Sequence, residues 1–234
     1  MSLRKLVIGF DADDTLWHNE SIFENAHGHY RALLAQYHDA PTVDRMLLAT
    51  EMRNLKTYGY GIKGFTLSAI ETAIHLTSGK ISSGEIQKII DLGREMLGHP
   101  VELFEGVTEV LSRLAVQHCL ILITKGDLND QERKLAKSGV AGHFRHIEIL
   151  SEKNEAAYEA ILQHHKIASK DFLMVGNSLK SDIIPVLELG GAGAYVPYRI
   201  TWAAERVETL PKADGRFFQL ETLKELDRVV EALS

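Results

Sequence analysis

The sequence predicts an α/β protein, with a Rossmann-like parallel sheet, helices on both faces of the sheet, and an inserted α-helical cap. Two observations predict the core. Five short apolar runs have the length of buried strands, and segments with helical spacing of apolar residues separate the last four. A third observation predicts the insertion: roughly 110 residues between the first two runs show helical periodicity and no strand pattern.

The predicted strands are LVIGF (6–10), LILIT (120–124), HIEIL (146–150), FLMVG (172–176) and GAYVP (193–197). The helical segments between the last four are LNDQERKLAKSG, NEAAYEAILQHH and SDIIPVLELG. Strands that alternate with helices in this way form βαβ units, in which the strands run parallel. Ligands bind such sheets at the carboxyl ends of the strands. The sequence places Asp11, Thr124 and Asn177 at those ends.

Four segments of the insertion have apolar residues three and four apart, as amphipathic helices do. They are SIFENAHGHYRALLAQYH, TVDRMLLATEMRNLKTYG, FTLSAIETAIHLTSG and SGEIQKIIDLGREMLG. Thr42, Thr66 and Ser82 or Ser83 are the expected helix caps. We therefore expect a helical cap domain over residues 18–98 and a core domain made of residues 1–17 and 99–234. Helix EGVTEVLSRLA (105–115) returns the chain to the core.

Composition limits the classes of partner. The chain has 234 residues, of which 45% are hydrophobic and 25% charged, as in ordinary globular proteins. Its net charge of −6 argues against nucleic acids and anionic membranes, which need a basic face, but local cations could still capture a small phosphorylated molecule. One cysteine, Cys119, cannot form an internal disulfide. The apolar run in MSLRKLVIGF is too short for a signal peptide, so we expect a cytoplasmic protein.

Three acids follow the first predicted strand in DADDTLW (11–17), namely Asp11, Asp13 and Asp14. Neighbouring carboxylates raise each other's pKa, so stability alone does not favour this cluster. One carboxylate at a strand end can attack an electrophile, while a second supplies a proton to the leaving group. Oxygen ligands of this kind also suit Mg²⁺. The alternative for this stretch is a loop of solvated acids that caps the following segment. For Asp14 we expect a cap or backbone N–H bonds in the turn.

Four stretches resemble the motifs of the haloacid dehalogenase-like (HAD) superfamily, in the family's order. DADDTLW resembles the first motif, D-x-D-x-T, and LILITKGD places Thr124 as in the second. SEKNEAAYEAIL offers Lys153 as the third-motif lysine, and VGNSLKSD (175–182) is similar to the fourth motif, usually G-D-x-x-x-x-D. The resemblance spans residues 5 to about 197, and the helical insertion matches the cap of one large subgroup.

The resemblance implies a role for each matching residue. Asp11 would attack phosphorus and form an aspartyl-phosphate. Asp13 would protonate the leaving alcohol and then activate water. Thr124 would bind a phosphoryl oxygen, and Lys153 would neutralise the nucleophile and the transferring group.

The implied metal ligands for Mg²⁺ are Asp11, Asp13 through its backbone carbonyl, Asn177 and Asp182. Asn177 stands where the family usually has an aspartate, and its amide oxygen can bind Mg²⁺ with one negative charge fewer. Two possibilities stay open, because either Asn177 or Asp182 could touch the metal directly. A second departure is Lys125, which could reach the phosphate or point to solvent.

Asp13 indicates the phosphate branch of the superfamily, because enzymes that displace halide from carbon need no proton donor. We therefore expect a Mg²⁺-dependent phosphomonoesterase that acts on a small phosphorylated metabolite through an aspartyl-phosphate. A phosphotransferase or mutase of the same superfamily is one alternative. A HAD-fold binding or regulatory protein with weak activity is another, and a haloacid dehalogenase is the third.

Overall fold

The computed structural model describes residues 5–212 and 214–233, so the first residues of the stretch used for the signal-peptide expectation lie outside it. The described residues form one six-stranded sheet, and all its paired strands are parallel. The strands are β1 (Val7–Phe10), β2 (Cys119–Lys125), β3 (His146–Leu150), β4 (Phe172–Gly176), β5 (Ala192–Tyr195) and β6 (Phe217–Gln219). Their order is β3-β2-β1-β4-β5-β6, which confirms the predicted Rossmann-like α/β fold.

The first eight α-helices lie close to where the apolar spacing predicts them, and the last is additional to the prediction. They are α1 (Glu20–Leu34), α2 (Ala40–Tyr58), α3 (Ile62–Leu76), α4 (Ser83–Gly98), α5 (Val107–Ala115), α6 (Leu128–Ser138), α7 (Glu155–His164), α8 (Ile184–Glu188) and α9 (Leu226–Leu233). A π-helical turn, Leu179–Ile183, precedes α8. No helix in the described ranges is long and apolar enough to cross a membrane.

Both faces of the sheet are covered, because successive side chains of a strand point to opposite sides. Leu120 and Leu122 belong to an apolar cluster that includes residues of α5, α6 and α9. Ile121 and Ile123 belong to a second cluster with residues of α7 and α8. The sheet therefore lies between two helical layers, and its strand ends are where ligands gather in folds of this kind.

The chain divides into two compact units. The first comprises Met1–Glu20, Val101–Lys125 and Gln131–Ser234, and it contains the sheet. The second comprises Ser21–Pro100 and Gly126–Asp130, and α2, α3 and α4 lie within it. This second unit has an apolar core of its own, built around residues such as Tyr30, Leu34 and Leu47. That residues 18–98 act as a cap domain stays a prediction.

The expected helix caps are correct at one of three places. Ser82 caps α4, since its hydroxyl accepts from Glu85 N and the Glu85 side chain accepts from Ser82 N. Thr42 was the wrong choice, because α2 begins earlier and Asp39 accepts the Thr42 N–H. Thr66 was also wrong, since it lies inside α3 and donates to the Ile62 carbonyl.

Gly176, the last residue of β4, lies against the side chain of Asp182. A Cβ added at this glycine would lie 2.6 Å from the Asp182 Cβ. Gly176→Ala is therefore expected to lower the free energy of unfolding by about 1–3 kcal/mol, as overpacking does. Gly28→Ala is the matched change, because it adds a methyl group to exposed α1 with open space around it, and it should stabilise the fold by about 0.4–1 kcal/mol. Urea unfolding measures both, and equal effects would contradict the prediction.

Candidate active site

The predicted site residues lie at the carboxyl end of the sheet, where parallel strands present ligand sites. Asp11 follows β1 directly, and its N–H donates to the Val175 carbonyl of β4. Thr124 is the penultimate residue of β2 and is buried. Lys153 immediately precedes Asn154, the N-cap of α7. The fourth-motif residues follow β4, the second of them in the π-helical turn.

Asp11 is buried, and both of its carboxylate oxygens are engaged. Lys153 Nζ donates to Oδ1 at 2.5 Å, and Thr15 Oγ1 donates to Oδ2 at 2.9 Å. Burial raises the pKa of Asp11 to about 7, because the positive charge of Lys153 offsets only part of the cost of burying the carboxylate. These two donors fix the orientation of the carboxylate at the strand end.

Lys153 joins the first and fourth motifs. Its side chain is 1% exposed, and its Nζ also donates to Asp182 Oδ1 at 2.7 Å. The other oxygen of Asp182 accepts the backbone N–H of Ser178 at 2.9 Å. Burial alone would lower the pKa of Lys153, but Asp11 and Asp182 outweigh it and raise that pKa. Lys153 is therefore a fixed positive charge between two carboxylates.

Removal of this charge should destabilise the protein strongly. Lys153→Met is expected to lower the free energy of unfolding by about 3–5 kcal/mol at neutral pH, because it leaves two carboxylates buried without their cation. The pKa of Asp11, already raised, would rise further, so the deficit should shrink as the pH falls and the folded protein binds a proton there. Urea unfolding at neutral pH and at about pH 5 measures both effects. Lys224→Met, which breaks the exposed pair with Glu105, is the control and should leave stability unchanged. A deficit that grows on acidification would contradict the prediction.

Asp13 lies in a cradle of three buried donors. Lys134 Nζ lies 2.7 Å from each carboxylate oxygen. Trp17 Nε1 donates to Oδ1 at 2.6 Å, and Gln131 Nε2 donates to Oδ2 at 2.8 Å. Burial would raise the pKa of Asp13, but Lys134 and the neutral donors outweigh it and lower that pKa. The structure therefore holds Asp13 as an anion.

Sequence reasoning missed this cradle. Gln131 and Lys134 are three residues apart on α6, so their side chains share one face of the helix. From that spacing, the sequence predicts that the two side chains are neighbours. Nothing in the sequence pointed to Asp13 as their common partner.

Asp14 serves the turn that leads to α1. Its carboxylate accepts the backbone N–H of Asn19 at 2.8 Å and of Glu20 at 3.0 Å, which confirms the expected backbone bonds. Burial raises the pKa of Asp14 to about 8, while the two N–H groups oppose that rise. Its φ of 62° is a left-handed conformation that aspartate tolerates better than most residues.

Asn177 faces the two oxygen atoms expected around a metal. One end of its amide lies 3.2 Å from Asp11 Oδ2 and 3.2 Å from the Asp13 carbonyl oxygen. With nitrogen in that position, the amide donates a hydrogen bond to each oxygen. With oxygen there, its distance to each of the other two oxygens is close to the spacing of about 3 Å between neighbouring ligands of octahedral Mg²⁺. The residues present therefore fit Mg²⁺.

Other donor sets do not compete with this one. No group of three or more His, Cys, Asp or Glu side chains in residues 5–212 and 214–233 could hold a metal ion. Both oxygens of Asp182 are turned to Lys153 and Ser178 N, so the side chain that faces Asp11 and the Asp13 carbonyl is that of Asn177.

Lys125 does not point to solvent. Its side chain is 16% exposed, and its Nζ lies 2.5 Å from Glu205 Oε1 and 2.9 Å from Ser181 Oγ. No pattern in the sequence pointed to Glu205. Tyr158 is a second residue that was not foreseen: it is fully buried on α7, and the carboxylates of Asp182 and Asp11 add to the effect of burial in raising its pKa.

Comparisons with known proteins identify relatives of this chain. A haloacid dehalogenase-like family hydrolase from Xanthomonas campestris is 41% identical, with a TM-score of 0.87 over 99% of this chain and 92% of that chain. The 2-haloacid dehalogenase from Pseudomonas syringae pv. tomato DC3000 is 22% identical, with a TM-score of 0.64 over 99% of this chain and 100% of that chain.

A third solved structure, described as a predicted phosphoglycolate phosphatase from Haemophilus somnus 129PT, is 17% identical, with a TM-score of 0.60 over 96% of this chain and 97% of that chain. A search of the curated proteins gives no match. The family model of the haloacid dehalogenase-like hydrolases matches residues 6–190. This match covers most of the chain and includes all four motifs, so the chain belongs to the haloacid dehalogenase-like hydrolase family.

Proposed function

We propose that this hydrolase is a Mg²⁺-dependent phosphomonoesterase that acts on a small phosphorylated metabolite through an aspartyl-phosphate. The observation that carries the proposal is the second carboxylate, Asp13, in its own cradle of donors two residues after Asp11. A reaction that expels an alcohol needs a proton donor and then a base, and one carboxyl group can serve as both. The same proposal places the enzyme in the cytoplasm, with no nucleic-acid or membrane partner.

In the first step, an Asp11 oxygen attacks phosphorus while the bond from phosphorus to the leaving oxygen breaks. Asp13 enters this step with the proton that it took from water in the previous turnover, and gives it to that oxygen. In the second step, Asp13 takes a proton from water, and the hydroxide attacks the aspartyl-phosphate to release phosphate and restore Asp11. The contact with Lys134 favours the anionic form of Asp13, which is the form that the second step needs.

The surrounding groups supply charge and position. Lys153 lies against Asp11 and Asp182, so it offsets negative charge as the phosphoryl group is transferred. Thr124, buried at the end of β2, is the proposed partner of a phosphoryl oxygen.

Three groups would hold Mg²⁺, namely Asp11 Oδ2, the Asp13 carbonyl and the amide oxygen of Asn177. The bound ion would supply positive charge against the phosphate and the nucleophile. We assign the direct contact to Asn177 because its amide faces the other two oxygens. Asp182 then orients Lys153 and accepts from Ser178 N.

A haloacid dehalogenase is the second candidate, because the 2-haloacid dehalogenase from Pseudomonas syringae shares the fold. At 22% identity this likeness extends to the fold alone, as does the 17% likeness to the predicted phosphoglycolate phosphatase from Haemophilus somnus. Halide leaves carbon without a proton, so a dehalogenase has no use for a cradled Asp13. A phosphotransferase or mutase would use the same first step, with a hydroxyl group in place of water in the second.

The test measures three products side by side, namely phosphate, chloride and nitrophenol. Phosphate release from p-nitrophenyl phosphate and from an alkyl phosphate is followed with and without Mg²⁺, and chloride release from 2-chloropropionate is followed in parallel. Metal-dependent phosphate release without chloride is the expected result. Chloride release without phosphate would replace the proposal with the dehalogenase. Nitrophenol in excess of phosphate when an alcohol acceptor is added would indicate a phosphotransferase.

A further inference from the structure

A buried carboxylate in the connection between β5 and β6 has no role in the reaction described above. Glu205 ends a short 3₁₀ turn, Ala203–Glu205, and its side chain is 13% exposed. Its Oε1 accepts from Lys125 Nζ at 2.5 Å. Its Oε2 accepts from Ser178 Oγ at 2.5 Å and from Ser181 Oγ at 2.6 Å. One carboxylate thus gathers donors from the end of β2 and from the fourth motif.

The two serines lie in the segment between Asn177 and Asp182. Ser178 Oγ also accepts the backbone N–H of Ser181 at 3.0 Å, so both hydroxyls belong to one folded turn. The backbone of Ser178 is bonded to Asp182 in both directions, because its N–H donates to Oδ2 and its carbonyl accepts the Asp182 N–H at 2.9 Å. A shift of the Ser178 backbone would therefore move Asp182, and it would also move Asn177, the residue before Ser178.

The charges make this arrangement costly to break. A buried carboxylate must be paired, and Lys125 is the cation that pairs with Glu205. Burial would raise the pKa of Glu205, but Lys125 and the two serine hydroxyls outweigh it and lower that pKa. A second contact holds the same stretch, since Lys180 Nζ donates to the Ala204 carbonyl at 2.7 Å. Glu205 is therefore an anion fixed against the fourth-motif turn.

We infer that Glu205 is a positioning residue for the cation site, which holds the Ser178–Ser181 turn so that Asn177 faces Asp11 and Asp182 faces Lys153. The inference rests on the proposed Mg²⁺ site and assigns a role to a residue outside the four motifs. It also means that Lys125 is the ion-pair partner of Glu205 and does not bind the phosphate. Glu205 touches neither metal nor substrate and acts through the serine hydroxyls.

Glu205→Gln tests this inference in the full chain. The amide keeps the size and one acceptor oxygen of the carboxylate, but it removes the negative charge that pairs with Lys125, and its NH₂ group replaces an oxygen that accepts either from Lys125 or from the two serine hydroxyls. We expect the dissociation constant for Mg²⁺, measured by calorimetry without substrate, to rise at least about tenfold, or about 1.4 kcal/mol. The value of kcat at saturating Mg²⁺ should change less than about threefold, because Glu205 does not touch the reacting atoms.

Glu208→Gln is the matched control, because Glu208 is exposed in the same connection, and it should change neither quantity. An unchanged Mg²⁺ dissociation constant in folded Glu205→Gln would overturn the inference. If that variant does not fold, Ser181→Ala removes one donor to Glu205 without leaving a buried charge, and an unchanged constant there would overturn it equally. A wild-type chain that binds no Mg²⁺ would instead overturn the proposed function, and the inference with it.

Discussion

Asp11→Asn is expected to lower kcat for p-nitrophenyl phosphate by several decades, with each factor of ten equal to 1.36 kcal/mol of lost transition-state stabilisation. Asparagine has nearly the same shape as aspartate and keeps one acceptor oxygen, which can accept from either Lys153 or Thr15, the donors to the two separate oxygens of Asp11. Its neutral amide, however, is a poor nucleophile and cannot form the aspartyl-phosphate. Phosphate release measures the loss. Acid quench followed by mass spectrometry should detect phosphorylated wild-type protein and none of the variant.

Asp14→Asn is the matched control for this change. Asp14 belongs to the same motif, but its carboxylate is directed to the backbone N–H groups of Asn19 and Glu20. We expect its kcat to stay within about threefold of the wild type, because an amide oxygen can accept the same N–H groups. If Asp11→Asn keeps more than a tenth of the activity, another group is the nucleophile.

The core of the fold could be predicted because each buried parallel strand is a short continuous apolar run. Predicted and observed strands differ by no more than two residues at either end for β1 to β5. The sixth strand, β6, was missed because it has only three residues, none of them fully buried, and so short a run carries no periodicity. Its pairing with β5 is a consequence of the fold rather than of its own sequence.

The candidate site likewise has residues that could be predicted from the sequence and residues that could not. Residues that follow a strand directly, such as Asp11 and Asn177, could be predicted because strand ends converge at one edge of a parallel sheet. Lys134 contacts Asp13 from 121 positions along the chain, and Glu205 contacts Lys125 from 80 positions away. Such contacts depend on the packing of α6 and on the path of a long connection, which local patterns do not encode.

Asp13→Asn is expected to affect substrates according to their leaving group. For an alkyl phosphate, kcat/KM should fall by about 10²–10⁴-fold, the range typical of a lost general acid. For p-nitrophenyl phosphate the fall should be less than about tenfold, because nitrophenolate is stable enough to leave without a proton. The parameter kcat/KM is the one to measure, because it reports only on the steps up to departure of the leaving group. The later hydrolysis of the aspartyl-phosphate does not affect it.

The ratio of the two effects separates chemistry from folding. A variant that merely disturbed the cradle of Lys134, Gln131 and Trp17 would lower kcat/KM for both substrates by the same factor, and this result would contradict a proton donor at Asp13. Asp14→Asn, one residue further along, should leave the ratio unchanged. A dehalogenase would release chloride in its first step equally well with or without Asp13, since halide leaves without a proton. Dependence on the leaving group is therefore the property by which the phosphatase differs from a dehalogenase that shares its fold and its nucleophile.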